Sequence, residues 1–450
     1  MKVDMATASN PAGRTPQDIT HRRVLHVAVP IVLSNATVPI LGAVDTGVVG
    51  QMGLAAPIGA VGIGAIILAS LYWLFGFLRM GTSGLAAQAV GAGETAETGA
   101  IVMRALMIGM AGGAIFVVFQ TPFIWGALLA APASDEVEAL AETYLRIRIW
   151  GAPATISIFA VTGWLIALER TRAVLVLQFW MNGLNILLDL WFVLGLGWGV
   201  EGVAIATLIA EWSGLALGLW FCRGAFAGDQ WRDWARVFDP VRIKRMMAVN
   251  GDIMVRSIAL NLMFVLFMFQ AAAFGDVTLA VNQILLQFLE ITAYALDGFA
   301  FAAEALVGQA LGARMVASLR RAAILTSLWG AGACVAMAIG FAIFGPWLID
   351  VMTTAPEVRA EARTYLWWVV FSPLVGMASW MLDGIFIGAT RTRDMRRAAL
   401  ESLAIYVVAL LLLVPLWGYN GLWLALYVSF VARAVTLWRR YPALEAAARP

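Results

Sequence analysis

Three side chains that could hold a proton or a small cation share one face of a predicted helix in the first half of the chain. Asn182, Asn185 and Asp189 are spaced by three and four residues, so an α-helix places them in one polar stripe. Carboxylate and amide oxygens are ligands that hard cations take, and a buried carboxylate can also take up a proton. The stripe therefore indicates ion or proton chemistry inside a helical bundle.

Asp45 is a second acidic candidate, because it lies near the end of an apolar segment, Val29 to Thr46, that also contains Pro39. A proline in a helix interior removes a backbone hydrogen bond and clashes with the preceding turn, so Pro39 predicts a kink or hinge. An ionisable side chain in hydrocarbon costs about 3 kcal/mol, so we expect Asp45 to face protein or water. A cap at the outer end of the helix is the alternative role.

The depths of these residues follow from the helical rise of about 1.5 Å per residue. Asp45 falls in the outer part of the first predicted span, and Asp189 lies about 22 Å from the inner start of the fifth. Thr207 comes about 10 Å into the sixth span, which runs inward. These residues converge on the outer half of the membrane, where they could share a proton or bind a cation. Hydrogen bonds between helices without an ion are the alternative.

The predicted eighth span carries a second stripe, in which polar residues recur every seven positions. They are Gln283, Glu290, Asp297 and Glu304, with Tyr294 on the same side. Because an α-helix drifts only about 20° per heptad, these groups are expected to line one wall of a polar cavity. Asp383 in the tenth span reaches a depth comparable with that of Asp297, which gives the second half its own acidic cluster for cationic substrates or for coupling. A cap at the inner helix end is the alternative for Glu304, and Glu211 is expected to pair with arginines near the same face.

Composition requires helices that cross a membrane. Of the 450 residues, 62% are hydrophobic and 13% are charged, which excludes a water-soluble domain of this size. Apolar runs of about 20 residues recur along the whole chain and predict an all-α integral membrane protein with twelve spans. The predicted spans are 24–49, 57–80, 99–121, 143–168, 174–195, 200–222, 246–273, 278–305, 320–345, 364–388, 398–416 and 421–439.

The distribution of basic residues predicts the orientation of the spans. Most of the 30 Lys and Arg residues fall in connections that share one side with both termini, whereas Arg359 and Arg363 fall in a connection on the other side. Lys and Arg collect on the cytoplasmic side, so both termini are expected in the cytoplasm, in a bacterial inner membrane. No cleaved signal peptide is predicted, since no short apolar stretch with a cleavage site precedes the first span.

The two halves of the chain repeat each other. LAAQAVGAG from Leu85 recurs as ALVGQALGA from Ala305, with Gln88 and Gln309 separated by 221 positions, and ERTR recurs as ATRTR at the same offset. Parallel repeats of six spans are found in transporters that rock two bundles about a central site. The predicted domains are a tail (1–23), a six-helix bundle (24–222), a cytoplasmic linker (223–245), a second bundle (246–440) and a tail (441–450).

Several of these elements together resemble the multidrug and toxic compound extrusion (MATE) family. They are the proline-bearing first span that ends in VDT, the GLAAQAVGAG element, NGLNILLD and LDGIFIGATRTR. The segments FLRMGTSGLAAQ and AYALDGFAFAAEALVGQALGA are similar in sequence to the DinF branch of that family. The resemblance implies two pseudo-symmetric six-helix bundles arranged as a V, and it covers nearly the whole chain.

The resemblance also implies a function and a site. It implies export of organic compounds by a monomer in the lipid bilayer, against an inward flow of protons or sodium, without an organic cofactor or a nucleic-acid partner. It places cation coupling on Asp45, Asn185, Asp189 and Thr207, which would be the metal ligands if sodium is the coupling ion. The choice between proton and sodium stays open.

Two other classes of protein fit less well. A flippase for lipid-linked oligosaccharides would need a strongly basic central cavity, whereas the predicted inward-facing groups are mostly acidic. An intramembrane prenyltransferase would need DDxxD or DxxxD clusters at a membrane face, and these are missing from the sequence. No GxxxxGK[ST] phosphate loop occurs either, so a secondary antiporter is the favoured interpretation and not an enzyme.

Overall fold

The computed structural model describes residues 19–37, 44, 47–51, 54–131, 133–227 and 230–449, and these residues are almost all helical. The long helices of the first half are α1 (His21–Asn35), α2 (Ala55–Leu74), α3 (Gly76–Gly91), α4 (Thr95–Val118), α5 (Gln120–Ala130), α6 (Asp135–Arg148), α7 (Ala152–Ala167), α8 (Thr171–Asp189) and α9 (Gly199–Phe221). After the short α10 (Trp234–Val237), the second half has α11 (Pro240–Ala272), α12 (Asp276–Gly312), α13 (Val316–Met352), α14 (Pro356–Gly388) and α15 (Thr392–Ala446). A π-helix, Leu190–Gly195, follows α8, and short 3₁₀ helices lie at Ile149–Gly151, Arg223–Phe226 and Gln230–Arg232.

The predicted all-α membrane fold is confirmed. Ten helical segments within the described residues are long and apolar enough to cross a membrane. The last of them, α15, contains two spans, because Gly418 interrupts it with φ 56° and ψ −132°. The first predicted span is described over His21–Asn35. Together these segments account for the twelve predicted spans.

The connection between the third and fourth spans differs from its prediction as a loop. It contains α5, and α6 begins at Asp135, eight residues before the predicted start of the fourth span at 143. Asp135, Glu136 and Glu138 lie in the first turn of α6, where negative charge stabilises the positive end of the helix dipole. The polar character of that turn lowers its hydropathy, so a search for apolar runs misses it.

The repeat is visible in the backbone as well as in the sequence. Three pairs of residues with positive φ are separated by 221 positions, the offset of the sequence echoes: Gly93 and Arg314, Glu169 and Thr390, Gly197 and Gly418. The residues that follow the first two pairs donate equivalent hydrogen bonds that close the ends of helices. Arg170 N–H donates to the Leu165 carbonyl (2.8 Å), and Arg391 N–H donates to the Phe386 carbonyl (3.0 Å). These left-handed helix ends are Schellman motifs, in which the chain can turn only after a residue with positive φ.

The described residues group into two compact units. The first contains residues 33–90 and 94–247, and the second contains 91–93, the segment that ends at Val32, and everything from Ala248 onward. In the first unit α4 packs on α7 and α8 packs on α9, while α12, α14 and α13 pack together in the second. The unit boundaries at Val32 and Ala248 fall within α1 and α11, and the predicted domain limits of 24–222 and 246–440 stay predictions.

The segment 223–245 is attached to the first unit through a buried arginine. Arg104 in α4 is 5% exposed, and its guanidinium donates to the carbonyl oxygens of Val237 (2.8 Å) and Arg236 (2.7 Å). The same guanidinium forms an ion pair at 2.8 Å with Glu97, which lies two turns earlier on the same face of α4. The end of α10 is therefore fixed to α4 by charge-assisted hydrogen bonds.

Candidate functional site

The polar stripe of α8 lies on its buried side. Asn182, Asn185 and Asp189 are 6%, 1% and 0% exposed, although the mean hydropathy of this helix is low enough for an exposed polar face. Polar groups are buried at a cost unless they are hydrogen-bonded or ligated. Their partners therefore decide what the stripe can do.

Asn182 joins α8 to the residues that directly follow α1. Its Nδ2 donates to Thr37 Oγ1 at 2.8 Å, and Thr37 Oγ1 donates to the Ser34 carbonyl at 2.7 Å. Its Oδ1 accepts a hydrogen bond from Gln178 Nε2 at 3.0 Å. Both ends of the amide are thus occupied, which leaves Asn182 as an orienting group.

Asn185 joins α8 to α9. Its Nδ2 donates to Thr207 Oγ1 at 3.1 Å, and Thr207 Oγ1 donates to the Val203 carbonyl at 2.9 Å. Asn185 Oδ1 is buried and accepts no hydrogen bond from any residue that the structure describes. The structure thus brings Asn185 and Thr207 together and leaves an amide oxygen that could accept a proton donor or ligate a cation.

Asp189 is fully buried at the last position of α8, where the helix changes type. The next six residues, Leu190–Gly195, form a π-helix. A π-helix has more residues per turn than an α-helix, so the register of the stripe ends at Asp189. Such insertions are frequent at functional sites, and nothing in the spacing of polar residues predicted this one.

Two predicted residues of this site, Asp45 and Pro39, lie outside the described residues. Their roles as coupling carboxylate and hinge stay predictions. Within the described part of the chain, no group of three or more His, Cys, Asp or Glu side chains could hold a metal ion. A cation bound at the stripe would therefore rely on amide, hydroxyl and single carboxylate oxygens.

A buried ion pair lies one turn from this site along α9. Arg148 Nη1 and Glu211 Oε2 are 2.7 Å apart, and both side chains are less than 10% exposed. Gly151 makes the approach possible, since a Cβ at that position would overlap Glu211 Oε2. The expectation that Glu211 pairs with arginines near the inner face was wrong, because its partner is Arg148, a buried residue at the last position of α6.

The stripe of α12 changes from exposed to buried along the helix. Gln283 and Glu290 are exposed, Tyr294 and Asp297 are half-buried, and Glu304 is 1% exposed. Gly388 of α14 packs against the backbone of Glu304, so this last member lies in the contact between two helices. Only the first part of the stripe could line a cavity wall in this structure.

Asp383 does not act as a free acid, which corrects the expected acidic cluster around it. Its Oδ2 lies 2.5 Å from Arg256 Nη2 and 3.7 Å from Arg433 Nε, with all three side chains at most 12% exposed. Arg433 was missed because it lies near the predicted end of the last span, where an arginine normally faces the cytoplasm.

The two halves of the chain each match the same family model. The MatE model matches residues 30–191 and again residues 253–416, which is more than half of the chain. The chain belongs to the MatE family. The two matched segments coincide with the two sequence repeats, and members of this family are transporters and not enzymes.

Relatives of this MatE chain match it over nearly its whole length. DNA damage-inducible protein F of Escherichia coli (strain K12) is 37% identical over 436 residues, which cover 92% of this chain and 91% of the relative. The predicted DinF-like branch is thereby confirmed. A probable multidrug resistance protein NorM of Rhizobium meliloti (strain 1021) is 26% identical over 459 residues, covering 95% of this chain and 94% of the relative.

Solved structures share the fold of this MatE chain. The Vibrio cholerae MATE transporter VcmN in the bent form superposes with a TM-score of 0.85 at 20% sequence identity, covering 95% of this chain and 97% of that chain. A MOP superfamily transporter from Pyrococcus furiosus, described as having a binding pocket of reversed polarity, gives a TM-score of 0.81 at 18% identity, with 99% and 100% covered. At this level of identity the likeness establishes the fold.

Four residues around the two charged sites were missed by the sequence analysis of this MatE chain. Gln178 lies four residues before Asn182 on the same helical face, so its spacing could have revealed it. Thr37 could have been found only from tertiary structure, as could the pairing of Arg148 with Glu211. Arg433 is four residues from Ser429 on one face of a mostly apolar helix, which is a weak signal.

Proposed function

We propose that this protein is a secondary active antiporter that exports organic, cationic or amphiphilic compounds in exchange for protons or sodium by alternating access. The names of its relatives support multidrug export: NorM proteins are named as probable multidrug resistance proteins, and they align over most of this chain. The parallel repeat of six spans is an architecture that secondary transporters use. We further propose that it resides in a bacterial inner membrane with both termini in the cytoplasm, and that it works as a monomer.

One observation carries the proposal of ion coupling. Inside the first unit, a fully buried carboxylate, Asp189, lies one turn from Asn185, whose buried Oδ1 accepts no hydrogen bond from the described residues. Ionisable groups in the membrane interior are costly and are retained mainly where they move ions or protons. A sodium ion could bind Asn185 Oδ1, and a proton could bind the Asp189 carboxylate, so occupancy of this site can change with the transport cycle.

We propose that Asp45 and Asp189 share this site, because both are expected at the same depth in the outer half of the membrane. Repulsion between two nearby carboxylates makes them take up a proton as a unit. Asp45→Asn, Asp189→Asn and the double variant should then lose similar amounts of coupled efflux, since groups that act together are strongly non-additive.

The experiment measures efflux of a cationic dye from proteoliposomes under separately imposed proton and sodium gradients. Wild-type protein should respond to one gradient, and the three variants should lose that response at matched reconstitution. Asp350→Asn is the matched control, because Asp350 is a half-exposed carboxylate paired with Arg363 in the second unit. Losses that add in the logarithm of the rate would show that Asp45 and Asp189 belong to separate sites.

The orientation can be tested without transport. A tag placed after Pro450 should be reachable only from the cytoplasmic side. Labelling of that tag in intact cells by an impermeant reagent would overturn the proposed orientation.

A further inference from the structure

The second unit contains a buried cluster with more positive than negative charge. Arg256 of α11 and Arg433 of α15 both approach the same oxygen of Asp383 in α14, at 2.5 Å and 3.7 Å. The side chains are 12%, 5% and 7% exposed. Two guanidinium groups and one carboxylate leave a net charge of one positive unit inside a membrane-spanning bundle.

No second acid among the described residues balances this charge. Arg433 Nη2 donates to Ser379 Oγ at 2.9 Å, and its guanidinium carbon lies 6.0 Å from the Phe430 ring centroid. Within the described part of the chain, neither guanidinium has another carboxylate within the 4.0 Å of an ion pair. The Nε atoms of both arginines are buried and donate no hydrogen bond there.

A tether between helices would not need the second arginine. Elsewhere in the same unit, Asp252 pairs with a single arginine among the described residues, Arg396, at 2.5 Å, and Thr392 Oγ1 donates to the other oxygen of Asp252 at 3.1 Å. That one-to-one pair is electrically balanced. Uncompensated charge in the membrane interior is unfavourable, so the excess arginine indicates a missing anion.

We propose that Arg256 and Arg433 form a binding site for an anionic oxygen group, carboxylate or phosphate, of an amphiphilic molecule. A guanidinium presents parallel N–H donors that match the two oxygens of such groups. Arg256 is the more exposed of the two arginines, at 12% against 5% for Arg433. Asp383 holds both guanidinium groups in place and limits the net charge to one unit.

The substrate class that this site would select is an amphiphilic molecule with an anionic group. This inference deepens the proposed efflux function and rests on it only where transport is concerned. The anionic group of an amphiphilic compound would find guanidinium groups in the second unit. Binding of the anion, however, is a property of the second unit and can be measured in the absence of any gradient.

The first test is equilibrium binding to the detergent-solubilised full chain, followed by fluorescence polarisation. The probes are a rhodamine with a free carboxylate and its ethyl ester, which differ only in the anionic group. Arg256→Gln leaves Arg433 and Asp383 as a balanced pair, so the variant is expected to fold. It should weaken binding of the free acid about tenfold, the effect of one charge-assisted hydrogen bond, and leave binding of the ester unchanged.

Arg396→Gln is the matched control, since it removes an arginine from the balanced pair with Asp252 and should change binding of neither dye. Equal weakening of both dyes by Arg256→Gln would overturn the anion site and assign the arginine to packing. An unchanged affinity for the free acid would overturn it as well.

A second arm separates the two sources of the anion. Binding and efflux of both dyes are compared in liposomes of phosphatidylcholine with and without phosphatidylglycerol. If the bound anion belongs to a lipid, the effect of Arg256→Gln should follow phosphatidylglycerol and not the charge of the dye. If it belongs to the substrate, the effect should follow the dye carboxylate in both liposomes. Loss of efflux with intact discrimination in binding would refute the antiporter and keep the site.

Discussion

Two helices at equivalent positions of the repeat bury side chains of different character. One is α8 with the π-helix that follows it, and the other is the first part of α15. Both begin after left-handed residues 221 positions apart, Glu169 and Thr390. Both end before another such pair, Gly197 and Gly418. Between these limits the same offset pairs each polar residue of the stripe with an apolar or aromatic one. Asn182, Asn185 and Asp189 correspond to Leu403, Tyr406 and Leu410.

The burial of the two sets is similar, but their surroundings are not. Tyr406 is 0% exposed and Leu410 is 7% exposed, and both belong to the apolar core of the second unit together with Trp423. Helix ends depend on backbone conformation, which duplication preserves, whereas side chains inside the bundle can change one at a time. The comparison shows that the buried polar stripe at this helix is confined to the first half, while the second half uses the equivalent positions for packing.

The charge of the second half is located at a different place in the repeat. Asp383 corresponds to Thr162 at the offset of 221, and the glycines that follow them, Gly384 and Gly163, each pack against a carbonyl, of Ala300 and Arg79, which are also 221 apart. The scaffold around these positions is therefore the same. The two polar sites therefore lie at different positions on one scaffold.

The largest effect is expected from changing Asp189, at the end of the stripe, and its second-half equivalent, Leu410. Asp189→Leu should lower ion-coupled efflux by on the order of 100-fold, because it removes the titratable group. Leu410→Asn should instead lower the melting temperature and leave efflux per folded molecule near the wild-type value. Efflux and thermal unfolding of both variants, measured on the same preparations, check the pair. Coupled transport that survives Asp189→Leu would contradict the comparison.

The buried ion pairs of the two units should respond differently to loss of one arginine. Arg148 is the only cationic partner of Glu211 in the described part of the chain, so Arg148→Gln leaves a buried carboxylate alone and should cost roughly 3–5 kcal/mol of stability. Arg256→Gln should cost less than about 1 kcal/mol, because Asp383 keeps Arg433. Denaturant unfolding in mixed micelles compares the two variants. Equal costs would mean that Arg433 does not compensate Asp383.

The side chain of Tyr406, which is the second-half equivalent of Asn185, should contribute to packing alone. Tyr406→Ala removes a fully buried ring from the apolar core and should destabilise the protein by roughly 3 kcal/mol. The stability of that variant should show the same dependence on sodium and pH as the wild type. Asn185→Ala should cost less stability and lose that dependence, since it removes a candidate ligand. Thermal melts across sodium concentration and pH measure both effects.

The smallest effect concerns the helix ends that the two halves share. Arg314 has φ 55°, whereas its equivalent in the first half is Gly93 with φ 74°. A residue with a Cβ is strained in this conformation, so Arg314→Gly should stabilise the protein by up to about 1 kcal/mol and Gly93→Ala should destabilise it by a similar amount. Melting temperatures that move in the same direction for both would contradict the structural equivalence.

The spans, the repeat and the stripe of α8 could be predicted from the sequence because each is a local pattern. Apolar runs predict spans, and a spacing of three and four residues predicts a shared helix face, as Asn182, Asn185 and Asp189 show. The charge of the Asp383 site could not be predicted, because its partners Arg256 and Arg433 come from helices that are 127 and 50 positions away in the sequence. A count of acids along one helix cannot reveal an arginine on another. The π-helix after Asp189 also left no periodic signal.

The attachment of Arg104 sets an order of events during synthesis. The carbonyls of Arg236 and Val237 that it binds are translated about 130 residues later, when α4 has already entered the membrane. Glu97, only seven residues earlier, is present from the start and can hold the guanidinium meanwhile. The growing chain thus carries a neutralised arginine until the segment after the sixth span emerges from the ribosome and docks. The hydrogen bonds of Arg104 therefore need no residue beyond Val237.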